Sequence, residues 1–98
     1  MADDVRFPVY VLAKDCGEFT EYRSLADMRG YMEAIGVENN EYDAWDAEGF
    51  VLKLIATDSK REWLRLERRA ARISEVQRDE VRSQASPYVN GRRLNAKG

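Results

Sequence analysis

A chain of 98 residues, 44% hydrophobic and 35% charged, has enough apolar side chains for one core and too few for two. It has no histidine and a single cysteine. That excludes the commonest general base, the ordinary serine and cysteine triads, an internal disulfide and a zinc site built on His and Cys. The net charge of −2 conceals two halves of opposite sign: residues 1–56 carry 5 Lys/Arg against 12 Asp/Glu, and residues 57–98 carry 11 against 6.

Residues 7–13 are rich in β-branched and aromatic side chains and predict a strand, with Pro8 at its start where no ladder donor is needed. Lys14-Asp15-Cys16-Gly17 is a turn whose glycine takes positive φ, and residues 18–23 alternate polar and apolar as the returning strand. Ser24 is an N-cap with Asp27 three residues on. Leu25, Met28, Met32 and Ile35 follow at helical spacing, and Gly36 stands at the C-terminal stop. The plan then repeats: a short strand at 42–46, a turn at Asp46-Ala47-Glu48-Gly49 and a strongly apolar strand at 50–56. Ser59 and Glu62 form a capping-box pattern, from which a long helix is expected between about Lys60 and about Gln84.

The expected fold class is therefore α+β. Two ββα units form a small four-stranded, mostly antiparallel sheet with one short helix and one long C-terminal helix. The strands at 7–13 and 50–56 are apolar on both faces and are expected at the centre, with those at 18–23 and 42–46 at the edges. Residues 1–85 would form the single domain and 86–98 a basic, flexible tail ended from the helix by Pro87, with Asn90-Gly91 as a turn signal.

The long helix would extend roughly 37 Å against strands of about 20–23 Å, and so outrun its own sheet. Its apolar stripe is Trp63, Leu66, Ala70, Ile73 and Val81. The first half of that stripe is expected on the chain's own sheet and the second half on another copy, giving a homodimer. The opposite side carries Arg61, Arg65, Arg68 and Arg72, with Arg69 beside them. Such a face suits nucleic acid or an acidic protein surface, although six acids among the eight bases of residues 58–85 blunt a phosphate field.

The acidic counterpart is residues 38–48, with Glu38, Glu41, Tyr42, Asp43, Trp45, Asp46 and Glu48. Two aromatic anchors among carboxylates would meet a basic partner. As a calcium loop the stretch fails: with Gly49 in the glycine slot, the first ligand position is Ala44 and the twelfth Ile55. Asp43 and Asp46, three apart in a strand, would face opposite ways and share no chemistry. Cys16 lies beside Asp15 and Glu18, which disfavour its thiolate. No phosphate loop or dinucleotide fingerprint occurs, and no cofactor or metal is called for.

The acidic start, Met-Ala-Asp-Asp, and the shortness of the apolar runs predict neither a secretory signal nor a membrane span, hence a cytoplasmic protein. The expected function is a non-catalytic protein-interaction module, such as a bacterial inhibitor or immunity-type protein. It would bind an unknown protein partner through an acidic aromatic sheet edge and the long helix. The alternative is a nucleic-acid-binding accessory protein using the arginine face.

Overall fold

The structure, a computed structural model, describes residues 5–85, Tyr88–Val89 and the backbone of Arg92–Arg93. In chain order the elements are β1 (Val9–Ala13), β2 (Glu18–Tyr22), α1 (Leu25–Tyr31), α2 (Ala34–Glu38) and β3 (Tyr42–Trp45). There follow β4 (Phe50–Ala56), β5 (Leu64–Arg72), α3 (Glu75–Ala85), β6 (Tyr88–Val89) and β7 (Arg92–Arg93). The sheet runs β5-β4-β3-β1-β2-β6-β7, every pairing antiparallel except β2 with β6. The α+β class holds, but the four-stranded sheet and the long C-terminal helix do not.

Where the long helix was expected, the chain makes a nine-residue strand, a bend and an eleven-residue helix. The spacing of Trp63, Leu66, Ala70 and Ile73 fits a helix, but a second pattern overlies it. Leu64 and Leu66 are 0% and 4% exposed, while Arg65 and Glu67 between and after them are exposed, the period of two of a half-buried strand. Leu64 lies opposite Ala56, and Leu66 opposite Leu54. Helix preference separates ordinary residues by no more than about 0.7 kcal/mol each, whereas burying a leucine side chain stabilises by about 1.5–3 kcal/mol. Tertiary pairing wins.

The Ser59 pattern makes its bond, but in a loop. The Glu62 N–H donates to Ser59 Oγ at 3.0 Å, and Thr57 Oγ1 donates to the Glu62 carbonyl at 2.8 Å, closing the β4–β5 connection. Helix α3 starts instead at Ser74, whose Oγ accepts from the Gln77 N–H at 3.2 Å while Gln77 Oε1 accepts from the Ser74 N–H at 3.1 Å. That is a reciprocal capping box.

Nearer the N-terminus, Gly17 takes φ +73° in the β1–β2 turn, and Ser24 Oγ caps α1 by accepting from the Asp27 N–H at 3.1 Å. The single helix expected over 25–35 breaks at Met32, which is extended, and resumes as α2. Gly36 stands inside α2, so it is not a C-terminal stop: a Cβ there would meet Tyr42 Cε2 at 2.7 Å. The glycine lets the tyrosine ring rest on the helix backbone. Phe7–Pro8 is a cis peptide just before β1.

Each face of the sheet has its own cover. Val9, Val11, Tyr22, Ala44, Leu52, Leu64 and Leu66 form the first face and pack with Met28, Met32 and Val37 of α1 and α2. On the second face, Tyr10 packs with Val81 and Ala85 of α3, flanked by Phe19, Trp45 and Ile73. The expected edge strand 42–46 is interior, because β3 lies between β1 and β4. β5 takes the outer place beyond β4. With the long helix gone, the expected homodimer loses the element meant to bridge two copies. No helix of the described residues is long and apolar enough to cross a membrane. Of the expected tail, the described residues are those of β6 and β7; its remainder and residues 1–4 lie outside them.

Candidate interaction edge

The two ends of the sheet differ. Beyond β2 the chain lays its own β6, with Val89 opposite Glu21, and then β7. Beyond β5 no further strand pairs among the described residues. The parity of the β4–β5 ladder shows which backbone groups of β5 face outward. The Thr57 N–H donates to the Trp63 carbonyl at 2.6 Å, and the Ile73 N–H to the Gly49 carbonyl at 2.9 Å. Residue 63 therefore points inward to β4, and in the alternation of an antiparallel ladder Leu64, Leu66 and Arg68 turn their N–H and C=O outward.

One of those outward groups is already closed. The Arg29 guanidinium, from α1, donates through Nε and Nη2 to the Leu64 carbonyl at 3.1 and 2.9 Å. In return the Trp63 indole N–H donates to the Arg29 carbonyl at 3.2 Å. This clasp fixes one end of the edge, and Leu66 and Arg68 continue it.

The predicted basic residues are brought to this edge rather than to a helix face. Arg65, Arg68, Arg69 and Arg72 are exposed along β5, and Arg61 is exposed in the loop before it. On a strand they alternate in direction: Arg65 lies opposite Ile55 and Arg68 opposite Leu52, on different faces. The guanidinium carbons of Arg68 and Arg72 sit 4.5 and 5.0 Å from the centroid of the Phe50 ring. Stacking on one aromatic holds both cations near each other despite their like charge. Arg72 Nε also donates to the Glu48 carbonyl at 2.8 Å. Arg69 pairs with Glu67 at 3.4 Å, whereas Arg65, Arg68 and Arg72 have no carboxylate within ion-pair distance among the described residues.

The predicted apolar stripe is divided between the two cores. Leu66 is buried and Trp63 half-buried on the first face. Ile73 and Val81 belong to the second face, and Ala70 is exposed on β5.

The acidic aromatic stretch is divided too. Tyr42 joins the first core, while Trp45 turns to the second and stacks on Phe19 with centroids 6.3 Å apart. Asp46 is fully buried. Its Oδ1 accepts from the Glu48 and Phe50 N–H groups at 2.9 and 3.0 Å, and Oδ2 accepts a longer bond from the Arg6 N–H at 3.4 Å. Its carboxylate builds the β3–β4 turn and has no surface to offer. Asp43 is half-buried and pairs with Lys14 at 3.7 Å, Glu41 is half-buried, and only Glu38 and Glu48 are exposed. The stretch does not form one contact surface.

Val37, Tyr42, Leu52, Leu54 and Arg69 are among the residues lining a groove of about 490 Å³ over β4. Burial, opposed by a backbone hydrogen bond from Glu33, raises the Tyr42 hydroxyl above its ordinary range. Burial pushes Tyr22 up to about 12. Cys16 is exposed in the β1–β2 turn, its Sγ 3.9 Å from the Ala13 carbonyl. Among the described residues no three His, Cys, Asp or Glu side chains are grouped to hold a metal ion.

Sequence reasoning missed Arg29 and Phe50, since the contacts that define them join residues 35 and roughly 20 apart in the chain. Against protein-family models, curated proteins and solved structures, the chain has no match.

Proposed function

We propose that the protein is a small non-catalytic interaction module, of which an inhibitor or immunity-type protein is one form, and that β5 is its contact surface. The observation that carries this reading is an outer strand of nine residues with outward backbone groups and four exposed arginines. Its partner is a protein with an acidic surface. The lone exposed Cys16 suits a reducing compartment, and we place the protein in the cytoplasm. A nucleic acid fits less well: phosphates reward cations clustered on one side, and here Arg65 and Arg68 point to opposite faces with Glu67 between them. A second copy fits less well too, because β5 carries four arginines against one glutamate and would repel itself.

Site-specific photo-crosslinking in the native cell tests the reading. A crosslinker at Ala70 on β5 should capture an acidic protein, nuclease treatment should leave the adduct intact, and the same crosslinker at exposed Ala26 on α1 should not form it. Equal capture at both positions, or an adduct lost to nuclease, would overturn it.

A further inference from the structure

We infer that the partner meets β5 as an extended acidic segment, added to the sheet as one more strand. This rests on the reading of β5 as the contact surface and specifies how that surface is used.

Main-chain geometry comes first. The N–H and C=O of Leu66 and Arg68 point away from β4 at the spacing that an incoming strand pairs with. The Leu64 carbonyl, capped by Arg29, is withdrawn from that register, so pairing begins at Leu66. Only a backbone in extended conformation can satisfy groups spaced in this way. A helix surface or a phosphate chain cannot.

Charge then selects the segment. A strand lying beside β5 passes Arg65 on one face and Arg68 on the other, neither of them paired with a carboxylate among the described residues. Arg68 and Arg72, already ordered against Phe50, lose less side-chain entropy on gripping a carboxylate than two unsupported arginines would. Lysines or arginines in the incoming segment would meet like charge at Arg65 and Arg68. Alternation follows from the pleat: acidic residues fall on the face of Arg68 and Arg72, and the apolar residues between them fall on the opposite face.

The probe is an acetylated and amidated peptide of alternating Glu and Val, seven residues long, titrated into the intact protein and followed by amide hydrogen exchange. Its controls replace Glu by Lys, or the central Val by Pro. The Glu peptide should bind saturably and slow exchange of the Leu66 and Arg68 amides at least tenfold. The Pro peptide, which lacks a ladder donor, and the double variant R68Q/R72Q should each weaken binding at least tenfold, and the Lys peptide should not bind. Equal binding of the Pro peptide would overturn strand addition while leaving β5 as an electrostatic contact surface. Absence of Glu-peptide binding, or protection appearing elsewhere than on β5, would overturn the inference as well. The crosslinking at Ala70 judges the contact surface separately from either result.

Discussion

The two ends of this sheet solve one problem in opposite ways. Any outermost strand offers unpaired N–H and C=O groups, and natural sheets cover them, shorten the strand or charge it. At β2 the chain covers the edge with its own β6 and β7. At β5 it leaves a strand of nine residues uncovered among the described residues and lines it with arginines. Under the proposed function, charge blocks a second copy of the same strand but admits a segment of opposite sign. An edge closed by its own chain is structural; an edge guarded by one sign of charge is selective.

The comparison can be broken most severely at the turn that presents the open side. Asp46→Ala leaves the Glu48 and Phe50 N–H groups without their acceptor at a buried position, which should cost roughly 3 kcal/mol. Urea denaturation measures this, and a loss under about 1 kcal/mol would show that the carboxylate is dispensable to the turn. Gly36→Ala comes next. The added methyl would overlap the Tyr42 ring and should cost about 2 kcal/mol, with the groove over β4 disturbed before the β2 side.

How much of this was legible in the chain depends on the range of the contact that decides each element. The turn at Gly17, the Ser24 cap and the strand 50–56 were all readable, because neighbours within a few residues determine them. The strand at 64–72 was not: its arginines and leucines fit helical spacing as well as alternation, and pairing with β4 chose between them. Ser59-x-x-Glu62 and Ser74-x-x-Gln77 carry the same local pattern, and both make the cap bond. Only the second is followed by residues free to continue as a helix, since Leu64 and Leu66 are drawn into the sheet core. Of the candidate surfaces, the arginines expected on one helix face lie along β5 and the loop before it, with Arg65 and Arg68 on opposite faces of the sheet. The burial of Asp46, which removes it from any contact surface, depends on the hairpin closing around it.

Alkaline pH sharpens the account of the covered side. Burial raises Tyr22 on β2 from 10.0 to about 12, so the folded protein holds that proton where the unfolded chain has released it. Tyr22 therefore contributes stability that is full below about pH 10 and is lost as pH rises through about 12. Tyr22→Phe should flatten the decline between those values in a pH series of urea midpoints, and an unchanged slope would contradict the assignment.

Val89→Pro has a smaller effect. It removes a donor from the strand facing Glu21 and should cost less than about 1 kcal/mol, since one residue pair joins β6 to β2. The consequence to look for is association: light scattering should show new self-assembly through the uncovered β2 edge. The smallest stability change belongs to R68Q/R72Q, within about 0.5 kcal/mol by denaturation, because both side chains are exposed.

Hydrogen exchange on the protein alone tests most directly whether β5 is open. The amides of Arg65 and Glu67 point toward β4 and should exchange slowly, while those of Leu66 and Arg68 point outward and should exchange at least tenfold faster. Equal protection at all four positions would mean that something already covers this edge, and the selective role assigned to it would be contradicted.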